Sequence, residues 1–190
     1  RPPGHHAEPS RGMGFCLFNN VAIGAAHARQ NHGINHVAVV DFDVHHGNGT
    51  QAAFWSDPNV MVASSHEYPF YPGTGAQEER GVGNIFNIPL ASMSGSEEFR
   101  QGFEKVVFPA LKEFKPGLII ISAGFDAHAR DPLANIRLQD EDFEWITDKL
   151  LDIAGEHSEG RIVSSLEGGY DLDALASSVT AHVTALKSSG

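Results

Sequence analysis

Two aspartates, two histidines and two glycines fall within residues 41–50 (DFDVHHGNGT), directly after the apolar run 37–40. The run predicts a buried strand, and charge beside a buried strand is costly unless it is paired or bound to a metal. Side chains alternate along a strand, so Asp41, Asp43 and His45 share one side if the extended backbone continues that far. The residue types and their spacing therefore point to a cation site at the end of a strand.

Each of these motifs also has a structural interpretation. Asp41 and Asp43 could be solvated turn residues, His5 and His6 an unstructured pair, and residues 167–170 (EGGY) a turn before a helix. The segment 41–50 begins like a calcium loop, but the Asp-x-Asp-x-Asp-Gly spacing and the twelfth-position Glu are absent. No GxSxG motif is present, which removes the commonest serine-hydrolase interpretation of an α/β sheet. Cys16 fits a buried structural thiol better than a nucleophile.

Apolar runs alternate with helical patterns along the chain. The runs predict strands at 37–42, 60–64, 85–90, 117–123 and 162–166. Asn19 or Asn20 predicts the start of a helix that continues to position 31, with Gly33 as its stop. The pair Ser94 and Glu97 has capping-box spacing for a helix to position 114, with a bend at 109. Further helices are predicted from 140, as the N-cap, to 157 and over 173–187. This alternation is typical of an α/β fold with a mostly parallel sheet and helices on both faces.

The unusual side chains follow three different predicted strands. Asp43 and His45 follow the first strand, Asp126 follows the strand 117–123, and Tyr170 follows the strand 162–166. Open parallel sheets bind their ligands at the carboxyl ends of the strands, so these groups are expected at one edge. Residues 1–8 (RPPGHHAE) could reach over that edge as a loop. Turn chemistry could explain any one of these motifs, but it does not readily explain why all of them are expected at the same edge of the sheet.

Composition narrows the possible classes of partner. The chain has 190 residues, enough for one domain, and its 13 Lys and Arg against 24 Asp and Glu give a net charge of −11. An acidic chain of this kind argues against direct nucleic-acid binding and is compatible with cationic substrates. The single cysteine excludes an intrachain disulfide and favours a reducing compartment. No apolar run is long enough to span a membrane.

Six motifs follow one another along the chain: RPPGHHA, GFCLFNN, DFDVHHGNGT, PGTG, GFDAH with DPL, and LEGGYDL. Their order and spacing resemble those of the histone deacetylase and acetylpolyamine amidohydrolase family. Within that family, an asparagine at position 48 resembles the class II and bacterial members. The resemblance implies the arginase–deacetylase α/β fold. It also implies that residues 1–190 are the C-terminal part of a single catalytic domain whose N-terminal part is missing. From this we expect an isolated chain of low stability, with His5 and His6 on a poorly tethered terminus.

The resemblance also implies zinc-dependent hydrolysis of acyl amides. It makes Asp43, His45 and Asp126 the ligands of Zn²⁺, and three protein ligands leave one coordination position open, as in catalytic sites. By the same resemblance His6 is the general base and acid, oriented by Asn48. His5 is expected beside Asp41, and Tyr170 is expected to donate its hydroxyl to the oxyanion.

Further residues are implied to line a substrate tunnel and to bind monovalent cations. Phe15 and Tyr71 are expected to face each other across an apolar slot, and the carbonyl of Gly14 to accept the amide N–H of the substrate. The full tunnel set is Gly14, Phe15, Tyr71, Leu133, Gly168 and Gly169. The resemblance places K⁺ near the zinc, at Asp41, Asp43, His45, Ser64 and Ser65, and a second monovalent site at Phe54, Asp57, Val60 and Asn84.

Three functions are compatible with these motifs. The first is a deacetylase acting on acetyl-lysine in histones or other proteins, and the second is an amidohydrolase of small acetylated amines such as acetylpolyamines. The third is a non-catalytic relative that binds zinc and an acyl chain, and Tyr170 argues against it. Leu133 is expected at the gate, the residue position at the tunnel entrance where a polyamine-selective branch has Glu. A leucine at this position favours acetyl-lysine as the substrate. The resemblance to bacterial members implies a cytoplasmic protein, with homo-oligomers possible.

Overall fold

Five apolar segments form the sheet. The strands are β1 (Val37–Asp41), β2 (Val60–Glu67), β3 (Ile85–Leu90), β4 (Leu118–Ala123) and β5 (Ile162–Leu166). They pair in the order β3-β2-β1-β4-β5, and every pair is parallel. The structure is a computed structural model that describes residues 2–188, and in this range the predicted parallel α/β sheet is confirmed. β2 continues to Glu67, beyond its predicted end at 64.

Helices cover both faces because the strands are apolar on both sides. Val37 and Val39 of β1 pack toward the helices of one face, whereas Ala38 and Val40 pack toward those of the other. The first face carries α1 (Asn20–His32) and α2 (Asn48–Phe54). The second face carries α3 (Ser96–Gly102), α4 (Phe108–Phe114), α5 (Asp140–His157) and α6 (Leu172–Ser188). No helix within residues 2–188 is long and apolar enough to cross a membrane.

The ends of α1 lie where the sequence predicts them. The Asn19 side chain accepts a hydrogen bond from the backbone N–H of Ala22 at 3.0 Å, which is N-cap geometry. Gly33 ends the helix in the left-handed conformation with φ 66°. The seven-residue helix α2 was not predicted, because its sequence overlaps the polar motif 41–50 and has no amphipathic period of its own.

Two predicted helix caps are wrong by one residue. α3 is capped at Gly95, whose N–H donates to the Glu98 carboxylate at 2.9 Å, so Ser94 and Glu97 are not its capping box. Asp140 is the first residue of α5 and not its N-cap, because its carboxylate accepts hydrogen bonds from serine hydroxyls of α6 instead. The cap position belongs to Gln139.

The predicted bend near Pro109 lies one turn earlier in the structure. A π-helical segment, Phe103–Val107, separates α3 from α4. Proline has no backbone N–H to complete the helical ladder, and a π turn is one way for a helix to absorb a missing bond.

A buried histidine ties three elements of the second face together. His182 of α6 lies with Nδ1 2.6 Å from Thr147 Oγ1 of α5 and Nε2 2.8 Å from Ser164 Oγ of β5. The Thr147 hydroxyl donates to the carbonyl of Phe143, so it accepts from His182 Nδ1–H, and Ser164 donates to Nε2. This arrangement requires a neutral imidazole, and burial lowers the pKa of His182 to about 4.

We predict that His182 makes the free energy of unfolding fall in acid. Its pKa is lower in the folded chain than the ordinary value of about 6.5, so the unfolded chain binds the additional proton as the pH drops between these values. Stability is full above pH 6.5, and about 2 kcal/mol is lost by pH 5. Urea unfolding at pH 7.5 and pH 5.0 should therefore show a smaller difference for His182→Gln than for the wild type. His36→Gln, at an exposed histidine, is the control, and an unchanged pH dependence in His182→Gln would contradict the assignment.

Candidate active site

The carboxyl ends of β1, β4 and β5 bring the unusual side chains together. Asp43 and His45 lie in the loop after β1, Asp126 in the loop after β4, and Tyr170 in the loop after β5. β1 and β4 are neighbours in register from Val37 to Asp41, so their loops leave the sheet side by side. The edge predicted from the strand pattern is the edge at which these residues meet.

Three of these residues form the one group of three or more possible metal ligands found within residues 2–188. His45 Nδ1 lies 3.1 Å from Asp43 Oδ1 and 3.2 Å from Asp126 Oδ2, and all three ligand atoms lie within 4.8 Å of one another. Ligand atoms about 2.0–2.1 Å from a tetrahedral ion are about 3.3 Å apart, so the spacing fits a zinc-sized cation. One imidazole and two carboxylates, with a fourth position unfilled by protein, are a donor set that a catalytic metal can use.

Hydrogen bonds hold both carboxylates in this orientation. The other oxygen of Asp126, Oδ1, accepts from the Val44 N–H at 2.8 Å, and Asp43 Oδ2 accepts from the Gly168 N–H at 2.8 Å. Burial opposes charge on His45, but its hydrogen bonds with Asp126 and Asp43 raise its pKa to about 10. The site is thus strongly attractive to positive charge, the electrostatic property that a divalent cation requires.

His5 is buried against the carboxylates behind this group. Its Nδ1 lies 2.8 Å from Asp41 Oδ2, and its Nε2 lies 3.7 Å from Asp43 Oδ1. Burial opposes a charge on the ring, but these two carboxylates raise the pKa of His5 well above its ordinary value. His5 is therefore an imidazolium paired with Asp41.

His6 has the opposite protonation state. Asn48 Nδ2 donates to Glu8 Oε1 at 2.9 Å, which turns Asn48 Oδ1 toward His6 Nδ1 at 2.8 Å. His6 Nδ1 therefore carries the proton, and its Nε2 carries the lone pair of a potential base. Burial and the adjacent His5 lower the pKa of His6 to about 3, so the ring is neutral. Which of the two histidines is charged could not be read from the sequence.

The expected loose tether of the histidine pair is wrong. Glu167, at the end of β5 and fully buried, accepts from the backbone N–H groups of Gly4 at 2.5 Å and His5 at 3.1 Å. Its other oxygen accepts from the Ser122 hydroxyl at 2.9 Å. In the sequence Glu167 stands out only as part of the motif EGGY, because its partners lie 162 and 163 positions away. Arg1, which opens the first motif, lies outside the described residues.

An apolar cavity opens over the histidines and the metal-ligand group. Its volume is about 450 Å³. The ring of Phe70, which the sequence analysis did not single out, stacks on His45 with centroids 5.6 Å apart. Gly168 and Gly169, predicted for the tunnel, are buried and are not among the residues that line this cavity. The cavity is lined by His6, Gly14, Phe15, His45, Phe70, Tyr71, Leu133 and Tyr170.

Gly14 lets the backbone of the cavity wall lie in contact with the His6 ring. A Cβ atom at this position would lie 2.2 Å from Cδ2 of the His6 ring, so only glycine fits. The next residue, Phe15, adopts φ 64°, an uncommon backbone conformation for a residue with a bulky side chain, and the residue is 75 % exposed. The Gly14 carbonyl, predicted to bind the substrate amide, accepts a hydrogen bond from the Cys16 thiol at 3.3 Å.

The residues predicted for monovalent cations also lie near one another. Asp41 of β1 pairs with Ser64 of β2, and the Ser64 hydroxyl lies 2.9 Å from His66 Nδ1. At the second predicted site, the Asn84 side-chain amide donates to the carbonyls of Phe54 at 2.8 Å, Asp57 at 3.0 Å and Val60 at 2.8 Å. Both cation sites stay predictions.

The chain is similar to histone deacetylases over most of its length. A model of the histone deacetylase domain matches residues 1–186. "Histone deacetylase 10, chloroplastic" of Oryza sativa subsp. japonica is 46% identical over 183 residues, which cover 94% of this chain and 41% of the relative. "Histone deacetylase-like amidohydrolase" of Pseudomonas aeruginosa is 43% identical over 175 residues, covering 90% and 46% respectively.

A solved structure shows the same fold. The crystal structure of the HDA15 HD domain superposes with a TM-score of 0.93 at 41% sequence identity, and covers 98% of this chain. The match spans 53% of that structure's own chain. This chain therefore spans about half the length of the proteins it matches.

We predict that metal binding depends on the charge of Asp126. Asp126→Asn keeps the acceptor for the Val44 N–H but replaces the oxygen that faces His45 with an amide, so metal affinity should fall by more than about tenfold. Metal content per folded chain, measured by atomic emission after dialysis, should drop accordingly. The exposed Asp173→Asn is the charge-matched control, and near-stoichiometric metal in Asp126→Asn would exclude Asp126 as a ligand.

Proposed function

Because the chain belongs to the histone deacetylase family, we propose that it is a zinc-dependent amidohydrolase that removes acetyl groups from lysine side chains of proteins. The single observation that carries this proposal is the arrangement of four groups in and directly beneath one cavity. These are the possible metal-ligand triad, the neutral His6, the charged His5 and the Tyr170 side chain. Each group has a distinct task in the hydrolysis of an unstrained amide.

Asp43, His45 and Asp126 would hold the metal. A divalent zinc ion at this position supplies a Lewis acid that polarises the amide carbonyl and acidifies water. Zn²⁺ is favoured because the donor set is small, mixed nitrogen and oxygen, and leaves one position for exchangeable ligands. K⁺ at the site predicted beside Asp41 would stabilise the loop that carries Asp43 and His45.

His6 is the proposed general base and acid. Its Nε2 lone pair takes the proton from the attacking water, while Asn48 keeps Nδ1 protonated and the ring oriented. The same proton then passes from Nε2 to the amide nitrogen as the C–N bond breaks. The products are acetate and an ammonium group, because the released amine takes up the proton that acetic acid loses, and His6 returns to its neutral state.

Tyr170 and His5 stabilise the negative charge that develops during attack. Tyr170 lines the cavity, and its hydroxyl is the proposed hydrogen-bond donor to the oxyanion. His5 stays protonated beside Asp41 and contributes a fixed positive charge near the reacting atoms. The presence of tyrosine at position 170 argues against the non-catalytic alternative, in which an acyl chain binds without turnover.

The cavity lining favours a long apolar chain with a polar end. The aromatic rings of Phe15, Phe70 and Tyr71 suit the methylene groups of an acetylated lysine. An acetylated polyamine is the second candidate, since the net charge of −11 suits cationic substrates. Leu133 in the lining disfavours it. With Cys16 as the only cysteine, we propose a reducing compartment such as the cytoplasm of a bacterium.

A turnover panel tests the proposed function. We expect the protein to release acetate from acetyl-lysine peptides faster than from acetylpolyamines or from peptides with longer acyl chains. The reverse ranking would favour the polyamine alternative, and zinc binding without turnover of any acyl amide would favour the non-catalytic one.

We predict that Tyr170→Phe lowers kcat by about 10²–10³-fold, because one oxyanion donor is removed. Zinc content should not change, since the tyrosine is outside the ligand group. Steady-state kinetics with an acetyl-lysine peptide, together with metal analysis, measure both effects. Normal turnover in this variant would mean that the tyrosine has no part in the chemistry.

A further inference from the structure

We propose that Asp131 is a positioning residue that sets the distance between the oxyanion donor and the gate of the substrate cavity. The inference rests on the proposed function, since it assigns Asp131 a role in that reaction. Asp131 itself does not line the cavity. It acts through two residues that do, Tyr170 and Leu133.

The two oxygens of this carboxylate bind two different loops. Asp131 Oδ2 accepts from the backbone N–H of Tyr170 at 2.8 Å, across 39 positions of sequence. Asp131 Oδ1 accepts from the backbone N–H of Leu133 at 3.0 Å, closing the turn Asp131-Pro132-Leu133. The side chain is buried, with 8 % of the residue exposed. One buried anion therefore fixes both backbones relative to each other.

These loops come from different strands of the sheet. Leu133 belongs to the loop after β4, and Tyr170 to the loop after β5. Asp131 is itself anchored, because its backbone N–H donates to the carbonyl of His128 at 2.9 Å. A shift of the β5 loop would therefore move the tyrosine and the gate together, unless the carboxylate is removed.

A second contact between the same loops is exposed and weaker. Arg130 lies 3.1 Å from Asp171 and 3.4 Å from Asp173, and its side chain is mostly in solvent. Exposed ion pairs contribute about 0–1 kcal/mol, whereas hydrogen bonds from backbone N–H groups to a buried carboxylate are typically worth more. Of these two side-chain links the Asp131 carboxylate is therefore the stronger, and it acts beside a backbone hydrogen bond from the Phe125 N–H to the Gly168 carbonyl at 2.9 Å. Asp173 offers a matched control.

The chemistry of the side chain gives a graded test. A carboxylate accepts on both oxygens, whereas an asparagine amide accepts on one and presents N–H groups on the other. Asp131→Asn can therefore bind one loop but repels the backbone N–H of the other. Asp131→Ser can close the local turn to Leu133 but is too short to reach Tyr170.

We expect both variants to lower kcat for an acetyl-lysine peptide by roughly tenfold or more, with a smaller change in KM, as for loss of an oriented transition-state donor. They should also change the preference for acetyl over longer acyl chains by roughly threefold or more, since the gate moves with the tyrosine. Tyr170→Phe should change kcat alone, and Leu133→Ala the acyl preference. Asp173→Asn should change neither.

Hydrogen exchange of the backbone amides provides a readout that does not require activity. Exchange should accelerate in the segments around 133 and around 170 together in Asp131→Asn and Asp131→Ser, and in neither segment in Asp173→Asn. A change in one segment only, or a loss of kcat with an unchanged acyl preference, would overturn the coupling. If the wild type hydrolyses no acyl amide, the proposed function fails, while the exchange result still decides whether Asp131 links the loops.

Discussion

Buried negative charge at the carboxyl edge of the sheet is the constraint on which the rest of the structure depends. Asp41, Asp43, Asp126 and Glu167 are each no more than 1 % exposed. Burying one unpaired ion costs several kcal/mol even after relaxation, so each carboxylate must have partners. The chain provides them in three ways: as backbone N–H groups from separate segments, as the imidazoles of His5 and His45, and as the Ser122 hydroxyl. The loops are thus ordered by the need to satisfy these carboxylates, and the cavity is shaped by the ordered loops.

This requirement also explains why small residues surround the site. A Cβ atom on Gly168 would lie 2.1 Å from Asp126 Oδ2 and 2.7 Å from Asp43 Oδ2. The same glycine donates its N–H to Asp43, so the backbone itself is a partner of the carboxylate. A side chain at position 168 would collide with both carboxylates, so this approach of the backbone requires glycine. Gly168, predicted to line the substrate tunnel, thus packs against the possible metal ligands.

The strands could be predicted from the sequence because they depend on local apolar runs. The edge at which the motif residues meet could be predicted because parallel sheets bind ligands at the carboxyl ends of their strands. The sequence was insufficient where a side chain had two possible partners. Asp140 looked like an N-cap, but the α6 hydroxyls compete for its carboxylate and Gln139 takes the cap position. Glu167 and Asp131 were passed over for a related reason. Glu167 binds the N–H of Gly4, 163 positions away, and one oxygen of Asp131 binds the N–H of Tyr170, 39 positions away, and no local pattern records such contacts.

His5 and His6 are adjacent in sequence, but their surroundings shift their pKa values in opposite directions. Asp41 faces His5 and an amide oxygen faces His6, so one ring is held as a cation and the other as a neutral base. The difference depends on the orientation of the Asn48 amide, which Glu8 sets from the opposite side. An acid at position 48 would bring a second negative charge to His6 and favour its protonated form. The amide therefore keeps a base available beside a fixed positive charge, and the two histidines can divide the work of proton transfer and charge stabilisation.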